Sequence, residues 1–236
     1  MKISIENLST IYDEEIILDN LNIELKDVKV VGIIGESGCG KSTLLRQLSG
    51  IEIPKKGLIT VNEMKINNKN LKEYQNKIGF VFQKHNLFPH LSIKDNILLI
   101  LEKIKGMNKK DAEVRCNALL KEFRISEQAD NIPNKVSGGQ AQRASIVRAL
   151  ATNPELIFLD EPTAALDPLL TKEVLESIQQ LKEDGVEFVF VTHEMEFLRK
   201  FADYYIFMDK GSIVEHGLIN ELELPKTEKL RNFVKR

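Results

Sequence analysis

The sequence predicts an α/β protein with a mixed, mostly parallel sheet, an antiparallel β subdomain at the N-terminus and an inserted helical subdomain. Several short apolar runs are uninterrupted by polar residues, which is typical of strands covered on both faces. Helical patterns interleave with these runs. No convincing strand lies between Phe82 and Leu156, so this stretch is predicted to be an insert made of helices.

Predicted strands recur along most of the chain. They lie near Ile3 and Ile16 and over residues 21–25, 28–34, 58–61, 78–82, 156–159, 188–191, 204–208 and 212–215. Residues 65–77, rich in Lys and Asn, are predicted to be solvated surface. We expect residues 1–236 to form one domain, in which 1–90 and 151–236 make the core lobe with its β subdomain and 91–150 make the helical subdomain.

The clearest helical pattern covers residues 168–182. Asp167 fits the N-cap of this helix and Pro168 fits its first position. One apolar stripe is formed by Leu170, Val174, Ile178 and Leu181.

The insert contains three predicted helices. Ser92 and Asp95 form a capping-box pattern that opens the first of them, which runs toward Lys103. The second covers residues 108–123 and the third covers residues 139–151.

The composition indicates an ordinary globular protein. The 236 residues carry a formal net charge of -2, with 42% hydrophobic and 29% charged residues, which argues against a disordered chain and against an electrostatic hold on nucleic acid. Cys39 and Cys116 are too few for a disulfide framework or a structural zinc site. Cys39 is expected to be a small spacer residue, although a thiol at a helix start can be reactive. Glu6 and Asn7 interrupt any secretory signal, and no apolar run approaches the roughly 20 residues of a spanning helix. An intracellular location is expected.

Residues 35–43, GESGCGKST, match the G-x-x-x-x-G-K-[ST] pattern of P-loop NTPases and lie between a predicted strand and a predicted helix. Glycines let backbone N–H groups turn toward phosphate oxygens, and the helix start adds partial positive charge. Lys41 is expected to reach the β- and γ-phosphates, and the Ser42 hydroxyl to bind Mg²⁺. The predicted phosphate-binding residues are Gly35, Glu36, Ser37, Gly38, Cys39, Gly40, Lys41, Ser42 and Thr43.

Two carboxylates follow the apolar strand predicted over residues 156–159. Asp160 is predicted to hold Mg²⁺, directly or through water. Glu161 is placed to polarise the attacking water. Together with the glycine loop, the pair indicates a nucleoside triphosphatase or a kinase.

Residues 136–140, VSGGQ, precede a predicted helix that carries Gln142, Arg143 and Arg148. A hydroxyl, two glycines and an outward-facing helix dipole make a second anion-binding helix start, which makes sense if it serves the nucleotide of another subunit. With these motifs the chain resembles the ATP-binding cassette (ABC) family, whose signature is LSGGQ. The resemblance covers essentially the whole chain in the family's order, and Val136 keeps an apolar side chain where the family has leucine.

The resemblance implies roles for further residues. Tyr12 is similar to the aromatic residue that stacks on adenine, and Gln83 resembles the glutamine that senses Mg²⁺ and the attacking water. His193 is similar to the switch histidine at the γ-phosphate, and Ala165, Leu166 and Asp167 resemble the loop that crosses the dimer interface. The residues implied to bind the nucleotide of a second subunit are Ser137, Gly138, Gly139 and Gln140. The implied catalytic residues are Lys41, Gln83, Glu161 and His193, and the implied Mg²⁺ ligands are Ser42, Gln83 and Asp160.

The resemblance also implies partners. Two copies pack head to tail around two ATP molecules with Mg²⁺, each held between the glycine loop of one copy and the signature of the other. The homodimer acts on separate integral membrane permeases at the cytoplasmic face of the membrane and, through them, on an extracytoplasmic solute-binding protein. No nucleic acid partner is expected.

Two segments resemble those of importer cassettes. The second is similar to that of cassettes for polar amino acid uptake. Residues 82–91, FQKHNLFPHL, resemble the segment that meets a permease helix, with Leu87, Phe88 and Leu91 expected to be exposed for that contact. The C-terminal tail resembles that of the polar amino acid uptake group, with Leu230 in place of a threonine. Cassettes for phosphate, lipoprotein or cell-division machinery stay open. Rival readings are a soluble cassette acting on ribosomes or DNA, and a P-loop kinase or GTPase, which would leave residues 137–140 unexplained.

Overall fold

A computed structural model of the protein describes residues 1–163 and 168–235. The strands are β1 Ile3–Tyr12, β2 Glu15–Leu25, β3 Val30–Gly35, β4 Lys56–Val61, β5 Met64–Lys65, β6 Ile78–Val81, β7 Leu156–Asp160, β8 Glu187–Val191, β9 Tyr204–Asp209 and β10 Ser212–Leu218. The α-helices are α1 Lys41–Leu48, α2 Leu71–Gln75, α3 Ile93–Lys103, α4 Lys109–Glu122, α5 Gly138–Ala151, α6 Pro168–Glu183, α7 Met195–Phe201 and α8 Glu228–Val234. Ala165, Leu166 and Asp167, and with them the predicted cap of α6, lie outside the described residues.

The first sheet is antiparallel and has the strand order β2-β1-β4-β5. β1 and β2 are joined by Asp13 and Glu14, both with positive φ, which gives a two-residue hairpin turn whose twist matches that of the strands. The sequence predicts two short strands near Ile16 and at 21–25, whereas β2 is continuous. Asn20, with φ 48°, lies at an irregularity of the β1–β2 register, and this residue is what makes the pattern look interrupted.

The second sheet is mixed and has the order β10-β9-β3-β8-β7-β6. The pairs β9–β3, β3–β8, β8–β7 and β7–β6 are parallel, and β10 is antiparallel to β9. β3 is buried at all its positions, because Val30 and Ile34 face one apolar cluster and Val31 and Ile33 face another. The predicted α/β fold with a mostly parallel sheet is confirmed.

The two apolar clusters cover opposite faces of the mixed sheet. One cluster joins Val81 of β6 with Ile97 of α3, Cys116 of α4 and Ile146 of α5 in a single continuous core. The other joins the sheet to α1 and to the antiparallel sheet. The three helices between β6 and β7 therefore pack directly on the strands whose ends carry the predicted site.

Local signals placed the starts of α3, α4 and α5 to within about one residue, whereas α2, α7 and α8 were not predicted. The Ser92 hydroxyl accepts from the amide of Asp95 at 3.0 Å and opens α3 as predicted. The segment 65–77 is not only solvated surface, since it contains α2, in which the buried Tyr74 donates its hydroxyl to the Leu48 carbonyl at 2.6 Å. Among the described residues, no helix has the length and apolar character needed to cross a membrane.

Candidate functional site

The glycine loop between β3 and α1 adopts a backbone that only glycine fits. Gly35, Gly38 and Gly40 have φ values of 151°, 78° and 101°. A Cβ on Gly35 would lie 2.2 Å from the Met208 carbonyl oxygen, and one on Gly40 would lie 2.8 Å from that of Ile17. A Cβ on Gly38 would meet no protein atom, so the loop is open on this side.

The start of α1 is built to receive an anion. Gly40 is its N-cap and provides no side-chain hydrogen bond, so the first-turn amides have no capping side chain. Lys41 is only 6% exposed, and its ammonium donates to the carbonyl oxygens of Gly35 at 2.9 Å and Glu36 at 2.8 Å. Amides, a helix dipole and an ammonium therefore converge on this loop, a combination that suits a phosphate chain.

Ser42 and Asp160 form a pair of oxygen donors beside the loop. The Ser42 hydroxyl donates to Oδ1 of Asp160 at 2.8 Å, joining the start of α1 to the end of β7. Burial raises the pKa of Asp160, and the Ser42 hydrogen bond opposes this effect. The described residues contain no cluster of three His, Cys, Asp or Glu side chains that could hold a metal alone. A hydroxyl with one carboxylate suits Mg²⁺, which binds few protein ligands and completes its shell with phosphates and water.

Three predicted catalytic side chains meet at the carboxyl ends of β6, β7 and β8. Nε2 of Gln83 donates to Oε2 of Glu161 at 2.8 Å, and Nδ1 of His193 lies 3.6 Å from Oε1 of Glu161. Glu161 has φ 46°, and its amide donates to the Val191 carbonyl at 3.1 Å, which anchors its backbone to β8. Because the three strands are neighbours and parallel, residues that follow their ends share one edge of the sheet.

Tyr12 lies at the end of β1, and its hydroxyl donates to the Glu52 carboxylate. Burial, together with this hydrogen bond, raises the pKa of Tyr12 to about 12. The neighbouring Gln47 also donates to Glu52, at 3.3 Å, and to Thr10 at 2.8 Å, which ties β1 to α1. The ring of Tyr12 is partly exposed at this junction.

The signature residues form the exposed start of α5. Ser137 caps the helix, because its hydroxyl accepts from the Gln140 amide at 3.2 Å and its own amide donates to Oε1 of Gln140 at 2.9 Å. Ser137 and Gly138 are exposed, whereas Gly139 is buried. The side-chain hydrogen bonds described for Ser137 and Gln140 lie within the capping box and do not involve Glu161. Within the signature, Ser137 and Gly138 therefore form an exposed surface.

One connection between site elements escapes the sequence patterns. Nδ1 of His85 lies 2.5 Å from Oε1 of the buried Gln142, and Arg148 donates to the Asn86 carbonyl at 2.7 Å. Both contacts join the segment after Gln83 to α5. In the sequence, the only hint of these contacts is that α5 carries the polar residues Gln142 and Arg148 among apolar ones.

The apolar residues of the 82–91 segment differ in exposure. Phe88 is 41% exposed, whereas Leu87 is half-buried and packs against the helical core, and Leu91 is half-buried as well. The expectation that all three are exposed is therefore wrong for Leu87 and Leu91. Asn96 explains the difference, because its side chain accepts from the Phe88 amide at 2.7 Å and donates to the Leu91 carbonyl, which folds the segment onto α3.

The two thiols are expected to resist alkylation in the native protein. Burial raises the pKa of Cys39, against the effect of Lys41, and burial raises that of Cys116 to about 11, so neither is a thiolate at neutral pH. A thiol titration with a chromogenic disulfide should detect both cysteines after unfolding and neither beforehand. Rapid labelling of Cys39 in the folded chain would contradict this expectation.

Comparisons with known proteins agree with this geometry. The family described as "ABC transporter" matches residues 18–164. The arginine transport ATP-binding protein ArtP of Haemophilus influenzae is 37% identical, with 99% of each chain covered. The glutamine transport ATP-binding protein GlnQ of Escherichia coli is 40% identical, with 98% of each chain covered. A dimeric ATP-binding cassette solved in a post-hydrolysis state with ADP and Pi is 32% identical, with a TM-score of 0.82 over 92% of this chain and 98% of that one. The family match and these relatives, which agree with the glycine loop and the strand-end acid, show that this chain belongs to the ABC transporter family.

Proposed function

We propose that this chain is the ATP-hydrolysing subunit of an amino acid importer and acts as a head-to-tail homodimer on a separate membrane permease at the cytoplasmic face. The meeting of Gln83, Glu161 and His193 beside the uncapped start of α1 carries the enzymatic part of the proposal. The relatives that serve arginine and glutamine transport support an amino acid as the transported solute. By the same analogy the permease would receive its solute from an extracytoplasmic solute-binding protein.

In the proposed reaction the loop and the start of α1 hold the triphosphate of ATP. Lys41 supplies positive charge to it, and Ser42 and Asp160 would hold Mg²⁺, which neutralises phosphate charge when bound. Glu161 accepts the proton of the attacking water. Gln83 and His193 each contact one oxygen of that carboxylate, so together they orient it.

The exposed start of α5 supports a role for a second copy. Ser137 and Gly138 lie at the surface, and the helix dipole places partial positive charge at this end. The site around a nucleotide held by the loop of one copy would be completed by this surface of its twin, and the related cassette solved with ADP and Pi is a dimer. Tyr12 and Asp167 are proposed to contribute to the same nucleotide site.

The site argues against the rival classes. A P-loop kinase or GTPase gives no reason for the exposed capping box at residues 137–140. Action on ribosomes or DNA has no support from the net charge of -2. Cassettes for other solutes share the same machinery, so the solute has to be tested in cells.

Substitution of Phe88 tests the proposed docking of the chain on a membrane permease. Its side chain is exposed at the segment that follows Gln83, so Phe88→Glu should weaken permease docking without touching the nucleotide site. In a strain lacking the chain, the wild type should restore uptake of labelled amino acids and sediment with membranes. The Phe88→Glu variant should do neither, while its ATP binding stays normal.

Val114→Glu is the matched control, since Val114 is 64% exposed on α4, away from this segment. It should behave as the wild type. Restored uptake by Phe88→Glu would remove this surface from docking. If the wild type restored only phosphate uptake, the solute would be phosphate and not an amino acid. Sedimentation with ribosomes instead of membranes would favour a soluble cassette that acts on ribosomes.

A further inference from the structure

The C-terminal helix reaches the candidate nucleotide site. A cleft of about 470 Å³ is lined, among the described residues, by Gly35, Glu36, Ser37, His193, Met195 and Phe233. Five of these belong to the glycine loop or to the segment that follows β8. Phe233 comes from α8, at the far end of the sequence, so the tail forms one wall of the space beside the loop and His193.

The start of α8 is fixed by a buried carboxylate. Glu215 of β10 accepts from the Tyr205 hydroxyl at 3.0 Å, from the amides of Lys226 at 3.0 Å and Thr227 at 2.7 Å, and from the Thr227 hydroxyl at 2.6 Å. Burial acts to raise the pKa of Glu215, but these hydrogen bonds outweigh it and hold the pKa below its ordinary value. Thr227 in turn caps α8 by accepting from the Leu230 amide at 3.3 Å. The helix is therefore docked at a defined place and not loosely attached.

The end of β9 connects α8 to the glycine loop. The rings of Phe207 and Phe233 have their centroids 5.3 Å apart, and Lys229 pairs with Asp209 at 2.5 Å. Between these two β9 residues, the Met208 carbonyl lies so close to Gly35 that a Cβ there would be 2.2 Å away. In β9, Phe207 and Asp209 thus contact α8, and Met208 between them contacts the glycine loop. A shift of α8 can therefore move the loop through three consecutive residues of one strand.

We propose that Phe233 is a positioning residue for ATP hydrolysis, which sets the geometry of the glycine loop and His193 through the shared cleft and through β9. The proposal rests on the proposed function of the chain as an ATPase. Phe233 acts on protein groups and contributes no reacting atom. Removing its ring opens the cleft wall next to His193, whose side chain is 58% exposed.

Val234 offers a matched control on the same helix. Like Phe233 it is half-buried and packs against the same apolar cluster. It lines a different cleft, together with Arg199 and Leu224, away from the loop. Truncating either residue removes packing of α8, but only Phe233→Ala changes the wall beside His193.

The first test compares the kinetics of the full-length variants. Phe233→Ala is expected to lower kcat about tenfold and to raise KM for ATP by a smaller factor, because a misplaced His193 slows the chemical step while most contacts of the loop with the triphosphate persist. Phe233→Leu should recover most of the rate, and Val234→Ala should keep the wild-type kcat. Equal loss of kcat in Phe233→Ala and Val234→Ala would overturn the proposal, because it would show a packing effect alone.

The second test uses the absence of tryptophan from the sequence. Phe233→Trp places a sole tryptophan in the cleft, and its emission should change when ATP and Mg²⁺ are added. Leu224→Trp, at a site 83% exposed on the other side of α8, should give no change. An unchanged signal from Phe233→Trp while a fluorescent ATP analogue binds would refute the positioning role. Failure of the wild type to bind or hydrolyse ATP would instead refute the proposed function.

Discussion

The Glu161→Gln variant is expected to bind ATP as the wild type does and to hydrolyse it at least about a hundredfold more slowly, the usual contribution of a general base. Glutamine has the shape of glutamate, so the contact with Gln83 can persist, but its amide cannot accept a proton from water. Uncleaved ATP should then hold two copies together. Phosphate release measures the rate, and size-exclusion chromatography with ATP and Mg²⁺ measures the dimer.

Glu155→Gln provides the control for this variant. Glu155 immediately precedes β7 at the end opposite Glu161, and its carboxylate lies 3.7 Å from Lys77 in an exposed ion pair that contributes little to stability. This variant should keep wild-type turnover and should not accumulate as a dimer. Near-normal turnover in Glu161→Gln would remove Glu161 from the role of base.

The Ser137→Arg variant is expected to lose ATP turnover while the isolated chain still binds ATP. Ser137 is exposed at the start of α5, so a long side chain there fits the single chain but would fill the space that the proposed dimer needs for the nucleotide of the second copy. Turnover should vanish with no ATP-dependent dimer. Equilibrium binding of a fluorescent ATP analogue and phosphate release measure the two effects separately.

Two controls separate obstruction from loss of the helix cap. Ser137→Ala removes the hydroxyl that caps α5, which costs about 1 kcal/mol of stability, and leaves the space free. Ser126→Arg adds the same charge at another exposed serine of the helical segment. Ser126→Arg should keep wild-type turnover, and Ser137→Ala should lose less turnover than Ser137→Arg. Wild-type activity of Ser137→Arg would mean that no second copy uses this surface.

The main features of the fold and of the site were predictable because they depend on local chemistry. The conformation of the glycine loop is set locally by glycines with positive φ within residues 35–40. Asp160 comes at the end of a strand whose apolar run is uninterrupted. Gln83 and His193 are harder to place, since they are far apart in sequence. Their meeting with Glu161 depends on the neighbouring order of β6, β7 and β8, which follows from the resemblance and not from any local pattern.

The remaining features are set by tertiary contacts that a sequence pattern does not show. Leu87 looks as available as Phe88 in the sequence, but Leu87 packs against the helical core while Asn96 holds the backbone of Phe88, whose side chain stays exposed. Cys39 at a helix start suggests reactivity, but its burial prevails. The docking of α8 depends on Glu215, a carboxylate that would be expected in solvent from its residue type.

The continuous core between the mixed sheet and the three helices of the insert constrains how these parts can move. Side chains of β3, β6, α3, α4 and α5 share one apolar cluster. Helix α5 also places the polar side chains of Gln142, Arg143 and Ser145 in the interior. Closely packed cores change between discrete arrangements and do not deform continuously. Moving α5 alone during turnover would break its contacts with β6, α3 and α4, so we expect α5 to move together with these packing partners.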